Sequence, residues 1–220
     1  MRALIFDLDG TLVDTVYAHV LAWQGAFTEL GLTIDAWRIH RRIGACRGLS
    51  ARTLTKELGR SLTTAETEAL GRRHGELFAS LLPKRQPLRG AVELLEFLRS
   101  NNILHGIATS GSRPQLDASL EAIGVTSETL VIERGDVLRA KPEPDLFLAC
   151  QERLRVTAEE CYVVGDAIWD HLAARRARML SLGVLSGGSG EDELMRAGAF
   201  RVYRDLVELH GSLDELGLLP

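Results

Sequence analysis

The chain has 220 residues, enough for one large domain or two small ones. Hydrophobic residues make up 45% and charged residues 25%, as in an ordinary globular protein, and the net charge of −4 argues against a nucleic-acid partner. No apolar run is long enough for a transmembrane helix and no signal-peptide pattern precedes the first strand, so we expect a cytoplasmic protein with no membrane partner. The three cysteines, odd in number, predict reduced thiols.

The first predicted element is a short buried strand over residues 3–6, which ends in the sequence DLDGT. From residue 15 to residue 82 the apolar spacing is helical throughout. One helix is predicted over 16–31, a second over 50–59 behind a serine cap, and a third from about residue 64. The segment PKRQP then interrupts the helical pattern.

After this segment, helices alternate with strands. The predicted order is helix AVELLEFLRS, strand ILHGIAT, helix PQLDASLEAIG, strand TLVI, helix PDLFLACQERL, strand CYVVGD, helix HLAARRARM, and strands LSLGVL and RVY. Such alternation indicates a parallel sheet covered on both faces. The predicted fold class is therefore α/β: a Rossmann-like doubly wound parallel sheet (1–14 and 88–220) with an inserted all-helical domain (15–87).

Polar residues stand where four of the predicted strands lead into loops, and ligands of an open parallel sheet bind beyond the carboxyl ends of its strands. These residues are Asp7, Asp9, Gly10 and Thr11 after the first strand, Thr109, Ser110 and Gly111 after the second, Lys141 after the third, and Asp166 and Asp170 after the fourth.

Three carboxylates at one sheet edge repel one another, and a bound cation relieves that repulsion. Since these ligands offer only oxygen, Mg²⁺ is the ion we expect. Lys141 would complete the charge balance. The hydroxyl of Thr109 can donate to phosphate oxygens, as can the backbone amides of Gly10, Ser110 and Gly111.

Taken together, these segments resemble the four motifs of the haloacid dehalogenase (HAD) superfamily. The matching residues are Asp7-x-Asp9-Gly10-Thr11, Thr109-Ser110, Lys141-Pro142-x-Pro144-Asp145 and Gly165-Asp166-x-x-x-Asp170. The likeness covers nearly the whole chain, and the inserted helical domain is similar to the C1 cap of the branch that contains phosphoglycolate phosphatase-like and β-phosphoglucomutase-like proteins.

The resemblance implies that Asp7 is the nucleophile that forms an aspartyl-phosphate, and that Asp9 acts first as general acid and then as general base. It also implies a Mg²⁺ ion held by the Asp7 side chain, the Asp9 backbone carbonyl and Asp166. The other implied roles are phosphoryl binding by Thr109 and Lys141, and support of the metal ligands by Asp170 and Thr11.

Two residues of the inserted domain are candidates for substrate binding. The segment DTVYAHVLAW resembles the start of the cap in the β-phosphoglucomutase-like branch and contains His19, for which a solvated flank is the competing interpretation. Arg47, between Gly44 and Gly48, stands where that branch has a phosphate- or substrate-binding arginine, in a loop suited to a lid. Trp23 is expected in the core.

These features imply a Mg²⁺-dependent phosphatase that acts on a small phosphorylated metabolite. Family members that cleave carbon–halogen bonds lack an acid at the position of Asp9. A phosphosugar mutase is the alternative, although mutases commonly carry a glutamate where this chain has Gly165. A non-catalytic phosphate-binding regulatory protein is a third hypothesis. Phosphoglycolate, a sugar phosphate and a nucleoside monophosphate all remain open as substrates, and the protein could be a monomer or a homodimer.

Two further segments receive no chemistry from these motifs. The arginines of AARRARM are expected to form a solvated helix face, and LSGGSGEDEL is expected to be a flexible loop at another strand end that could border the site.

Overall fold

The computed structural model describes residues 2–45 and 47–219, with the backbone alone at 47–49. The chain forms two compact units. The first, which we call the α/β unit, comprises Met1–Asp14 and Arg85–Pro220, and the second, the helical unit, comprises Thr15–Lys84. The expected division lay between residues 87 and 88, three residues further along the chain than the division between these units.

In the described part of the chain, six strands form a single parallel sheet, which confirms the predicted fold class. The strands are β1 (Ala3–Phe6), β2 (Leu104–Ala108), β3 (Leu130–Ile132), β4 (Cys161–Gly165), β5 (Leu180–Val184) and β6 (Arg201–Tyr203). Their order across the sheet is β3-β2-β1-β4-β5-β6. The order reverses direction between β1 and β4, and this switch point is where ligands of such sheets bind.

The helices alternate with these strands after residue 90. The helices described in the helical unit are α1 (Val16–Glu29), α2 (Ala36–His40), α3 (Arg47–Glu57) and α4 (Thr64–Leu81). Those of the α/β unit are α5 (Ala91–Ser100), α6 (Asp117–Ala122), α7 (Asp145–Leu154), α8 (Ile168–Arg176), α9 (Glu191–Ala197) and α10 (Leu206–His210). Among the described residues, none of these helices has both the length and the apolar character needed to span a bilayer.

The centre of the sheet is built from strands that are buried along their whole length. Every residue of β1 and β4 is buried, as expected for parallel strands covered by helices on both faces. In the register, Phe6 lies opposite Ile107 on one side and Val164 on the other. The amide of Asp7 continues this ladder by donating to the Val164 carbonyl at 2.8 Å. The residues that follow β1 and β4 therefore emerge side by side.

Three details of the predicted helices differ from the structure. Helix α3 begins at Arg47, so Ser50 lies within the helix and is not its N-cap. The Ser50 hydroxyl donates to the Arg42 carbonyl at 3.2 Å. Helix α6 is shorter than the predicted segment. The short helices α2, α9 and α10 were not predicted as separate elements.

The helical unit has a hydrophobic core of its own. Helices α1 and α4 both contribute to it, and Trp23 is 6% exposed, which confirms its predicted place in the core. The helix predicted near residue 64 begins with a capping box, in which Thr63 Oγ1 accepts from the Glu66 amide and Glu66 accepts from the Thr63 amide.

Candidate active site

The carboxyl ends of β1 and β4 bring together three buried aspartates. Asp7 follows β1, Asp166 follows β4, and Asp170 lies in the first turn of α8. The three side chains are 3%, 3% and 0% exposed, respectively. One carboxylate oxygen from each lies within 4.8 Å of the others. Acids about 160 residues apart in sequence thus share one site, because their strands are neighbours in the sheet.

Lys141 is the cation inside this cluster. Its ammonium nitrogen lies 2.5 Å from Asp7 Oδ1 and 2.8 Å from Asp170 Oδ1, and the residue is 0% exposed. Burial alone would lower the pKa of Lys141, but the charges of Asp170 and Asp7 outweigh it and raise that pKa above its usual range. The amine therefore stays charged in the folded protein.

The aspartates themselves are poorly solvated. Burial raises the pKa of Asp7 to about 7, against the opposing effect of Lys141 and with a further increase from the Asp170 charge. Burial also raises the pKa of Asp166 well above its ordinary value, with the charges of Asp170 and Asp7 adding to the effect. One ammonium does not balance three carboxylates in this environment.

The cluster fits a divalent cation. Its donors are all carboxylate oxygens, which hard ions prefer. Binding of a cation would stabilise the ionised forms of Asp7 and Asp166, which burial disfavours. The residues present are therefore able to hold a divalent metal ion.

Asp166 and Asp170 are held by hydrogen bonds to neighbouring loops. Asp166 Oδ1 accepts from the Thr11 hydroxyl at 2.8 Å, so Thr11 contacts a candidate metal ligand directly. Asp170 Oδ2 accepts from the Ala167 amide at 3.1 Å, while its other oxygen faces Lys141. Asp170 therefore orients Lys141 as well as belonging to the acid cluster.

Asp9 stands apart from the three buried acids. It is half-buried, and its carboxylate faces the loop after β2: a Cβ built on Gly111 would lie 3.9 Å from Asp9 Oδ2. A half-buried position near the strand ends suits a group that exchanges protons with substrate or water.

Two backbone amides that were expected to bind phosphate, in the loops after β1 and β2, instead form hydrogen bonds within the protein. Thr109 is 1% exposed, and its Oγ1 accepts from the Gly111 amide at 2.9 Å. The Gly10 amide likewise donates to the Val13 carbonyl at 2.9 Å. These two amides, which we expected to bind phosphate, are engaged within their own turns. For the remaining amide, that of Ser110, phosphate binding stays a prediction.

Two arginines near the edge of the site were not predicted to lie there. Arg176, expected on a solvated face, is largely exposed, yet it donates to the Pro142 carbonyl and to Glu143, each at 2.8 Å. It thereby ties the end of α8 to the loop that carries Lys141. Arg85 lies close enough to Asp9 for that charge to act on its pKa, which burial lowers. Only the fold shows these proximities, since the residues are far apart in sequence.

The candidate residues of the helical unit are accounted for separately. His19 is half-buried, stacks on Phe78 with ring centroids 3.8 Å apart, and has Nδ1 3.0 Å from His74 Nε2. The side chain of Arg47 lies outside the described residues, as does Cys46. Substrate binding by His19 and Arg47 stays a prediction.

Comparison with known proteins identifies relatives over the whole chain. The sequence profile described as "Haloacid dehalogenase-like hydrolase" matches residues 4–184. The chain is 35% identical to a probable phosphatase, IndB, of Dickeya dadantii over 221 residues, covering 97% of this chain and 94% of the relative. It is 30% identical to a β-phosphoglucomutase of Bacillus subtilis, covering 95% and 92%, respectively. A crystal structure of a hydrolase from Pseudomonas syringae superimposes with a TM-score of 0.93 and 42% identity, covering 98% of this chain and 99% of that one.

Proposed function

Because this chain belongs to the haloacid dehalogenase-like hydrolase family, we propose that it is a Mg²⁺-dependent phosphatase that hydrolyses the phosphate monoester of a small metabolite. The observation that carries the proposal is the buried ammonium of Lys141 between Asp7 and Asp170, beside Asp166. A positive charge placed among acids at a sheet edge suits the binding of a phosphoryl group beside an anionic nucleophile.

In the proposed first step, a carboxylate oxygen of Asp7 attacks phosphorus. An O–P bond to Asp7 forms as the bond from phosphorus to the substrate oxygen breaks. Asp9 gives its proton to that leaving oxygen, so the oxygen departs as a hydroxyl group of the metabolite and not as an alkoxide. Lys141 and the hydroxyl of Thr109 stabilise the charge that spreads over the phosphoryl oxygens.

In the second step, Asp9 takes a proton from a water molecule, and the water oxygen attacks phosphorus. The bond to Asp7 breaks, which restores the carboxylate and releases inorganic phosphate. The carboxylates of Asp7 and Asp166, two of the three clustered acids, would hold the Mg²⁺ ion. The family resemblance adds the Asp9 carbonyl as a third ligand. When bound, the ion offsets the repulsion between the anionic phosphate and the attacking carboxylate.

The test is phosphate release from a panel of phosphorylated metabolites, with the purified protein and MgCl₂. The panel includes phosphoglycolate, hexose phosphates and nucleoside monophosphates. We expect turnover of at least one of them, and loss of that turnover in Asp7→Asn, because an amide is a poor nucleophile. The conservative variant Asp14→Asn, at an exposed aspartate near the same strand, is the matched control. Full activity of Asp7→Asn would refute the nucleophile assignment.

A phosphosugar mutase is the second candidate, favoured by the similarity to the Bacillus subtilis enzyme. In this case the phosphoryl group on Asp7 would return to the sugar instead of passing to water. ³¹P NMR of a reaction with β-glucose 1-phosphate distinguishes the two: a mutase accumulates an isomeric sugar phosphate, and a phosphatase accumulates inorganic phosphate.

The surroundings of Gly165 favour the phosphatase. A Cβ at this position would lie 2.4 Å from Asp170 Cβ and 2.6 Å from its Oδ2. The glutamate that mutases commonly carry here would therefore collide with Asp170. An acid at position 165 would require Asp170 or the start of α8 to move from its observed place.

A further inference from the structure

The loop that follows β5 touches two of the proposed metal-binding segments. It begins with a 3₁₀ turn, Leu185–Gly187, and leads into α9. We call residues 185–190 the β5 loop. Because β5 pairs with β4, the β5 loop emerges beside the strand end that carries Asp166. No family motif assigns chemistry to this loop.

The first contact fixes the loop after β1. Ser186 Oγ donates to the Gly10 carbonyl at 2.6 Å. The Gly10 amide meanwhile donates to the Val13 carbonyl at 2.9 Å. That amide shares a rigid peptide plane with the carbonyl of Asp9, so the plane's orientation decides where the Asp9 carbonyl points. Ser186 therefore helps to hold Gly10 in place. The position of Gly10 in turn affects the direction of the Asp9 carbonyl, which is a proposed metal ligand.

The second contact fixes Asp166. A Cβ built on Gly187 would lie 1.7 Å from Asp166 Oδ2, 2.4 Å from its Cγ and 2.7 Å from its Cβ. Thr11 holds the other oxygen of the same carboxylate at 2.8 Å. The carboxylate of Asp166 is thus confined between the Thr11 hydroxyl and the backbone of Gly187, and a side chain at position 187 would displace it.

We propose that Ser186 and Gly187 are positioning residues for the divalent cation, and that the β5 loop helps to set the affinity of the site for it. This inference rests on the proposed function, since it takes the Asp9 carbonyl and Asp166 as ligands. Residues that orient metal ligands typically change metal affinity by about 10- to 100-fold when they are replaced.

The experiment measures binding of Mn²⁺ to the EDTA-treated, full-length protein by electron paramagnetic resonance, and of Mg²⁺ by calorimetry. We expect Gly187→Ala to weaken Mn²⁺ binding by about tenfold or more, because the added methyl group displaces the Asp166 carboxylate. Ser186→Ala should weaken it less, and Ser186→Thr, which keeps the hydroxyl, should restore it.

Two controls in the same loop carry the same chemical changes. Gly190→Ala adds a methyl group that would contact the Glu193 side chain at ordinary distances, with Oε2 at 3.6 Å and Cγ at 4.0 Å. Ser189→Ala removes a hydroxyl from a half-buried residue. Both should bind Mn²⁺ as the wild type does. Melting temperatures measured in EDTA separate a loss of ligand geometry from a loss of folding.

The outcomes separate the inference from the function on which it rests. If the wild-type protein binds neither Mn²⁺ nor Mg²⁺, the proposed metal site is wrong. If the wild type binds and folded Gly187→Ala binds equally well, the role of Gly187 is overturned and the site stands. If Gly187→Ala does not fold, the Mn²⁺ affinities of Ser186→Ala and Ser186→Thr provide the test. An affinity of Ser186→Ala equal to that of the wild type overturns the inference.

Discussion

At the scale of single residues, the main feature is a lysine with no exposed surface. Lys141 contacts carboxylates of Asp7 and Asp170. Removing a charge from water is costly, and a buried ion pair repays that cost only when its partners are well placed. This cost is the reason for proposing that Lys141 binds a phosphoryl group and does not serve the fold alone.

Replacement of Lys141 tests this assignment. We expect Lys141→Met to reduce kcat with an aryl phosphate and Mg²⁺ by at least about 100-fold, since removal of one charge-stabilising donor has that effect. The variant should also lose stability, because Asp7 and Asp170 keep their repulsion without the ammonium between them. Urea unfolding of the EDTA-treated protein measures this loss.

Lys84→Met is the matched control, because Lys84 is an exposed lysine. It should leave both kcat and the free energy of unfolding nearly unchanged. Wild-type turnover by Lys141→Met would remove Lys141 from the mechanism.

At the scale of elements, the end of β4 and the first turn of α8 form one unit. Gly165 ends the strand, and the Asp170 side chain occupies the space where its Cβ would be. Strand and helix can approach so closely only because position 165 has no side chain. This approach places Asp170 against Lys141.

Gly165→Ala should therefore disturb both stability and catalysis. The methyl group would sit 2.4 Å from Asp170 Cβ, so either the side chain or the helix must move. We expect a loss of about 1–3 kcal/mol in the free energy of unfolding, the usual effect of overpacking a core. We also expect a fall in kcat, because a displaced Asp170 would no longer orient the Lys141 ammonium.

The control for this substitution is Gly135→Ala in the 3₁₀ turn Arg134–Asp136, where a Cβ would meet nothing within 4 Å. Urea unfolding and phosphate release are measured for both variants. Equal stability and activity of the two would show that Asp170 has room to move and that the tight fit at Gly165 is unimportant.

The elements also show what the sequence could and could not predict. The long helices α1, α4, α5 and α7 were predicted because their apolar period extends over ten or more residues, and the strands because they are short apolar runs between helical segments. Helices α2, α9 and α10 have five to seven residues, which is too short for a clear period. The pairing of β4 with β5, which brings Gly187 to Asp166, depends on packing between distant segments and leaves no local signal.

The candidate site was predictable to a similar degree. Asp7, Asp166 and Lys141 could be grouped because each follows a predicted strand of a parallel sheet. The hydrogen bonds of the Gly10 and Gly111 amides could not be foreseen, since they arise from the exact path of each turn. The contact of Arg176 with the Pro142 carbonyl requires that α8 and the Lys141 loop be neighbours.

At the scale of the whole molecule, the buried acids couple stability to pH. The pKa of Asp7 is raised by burial from 3.8 to about 7. Between these values the folded protein keeps a proton that the unfolded chain has released. The free energy of unfolding therefore falls as pH rises through this window, by up to about 1.4 kcal/mol per pH unit for one such group.

Urea unfolding of the EDTA-treated protein at pH 4.5, 5.5, 6.5 and 7.5 measures this dependence. Asp7→Asn should lack the Asp7 component, so its stability relative to the wild type should rise with pH and level off above about pH 7. Mg²⁺ should stabilise the wild type more at pH 7.5 than at pH 5.5, since binding competes with the proton. A stability difference independent of pH would show that Asp7 is already ionised when the chain is folded without metal.

The central position of β1 has a consequence for synthesis of the chain. Among the strands of the sheet, β1 is translated first, yet its neighbours β2 and β4 begin only at Leu104 and Cys161. The four apolar residues of β1 therefore have no partner strand of this sheet while the helical unit is translated. Strand β1 therefore completes its pairing only after β4 has been translated, and the candidate residues Asp7 and Asp166 can meet only from that point.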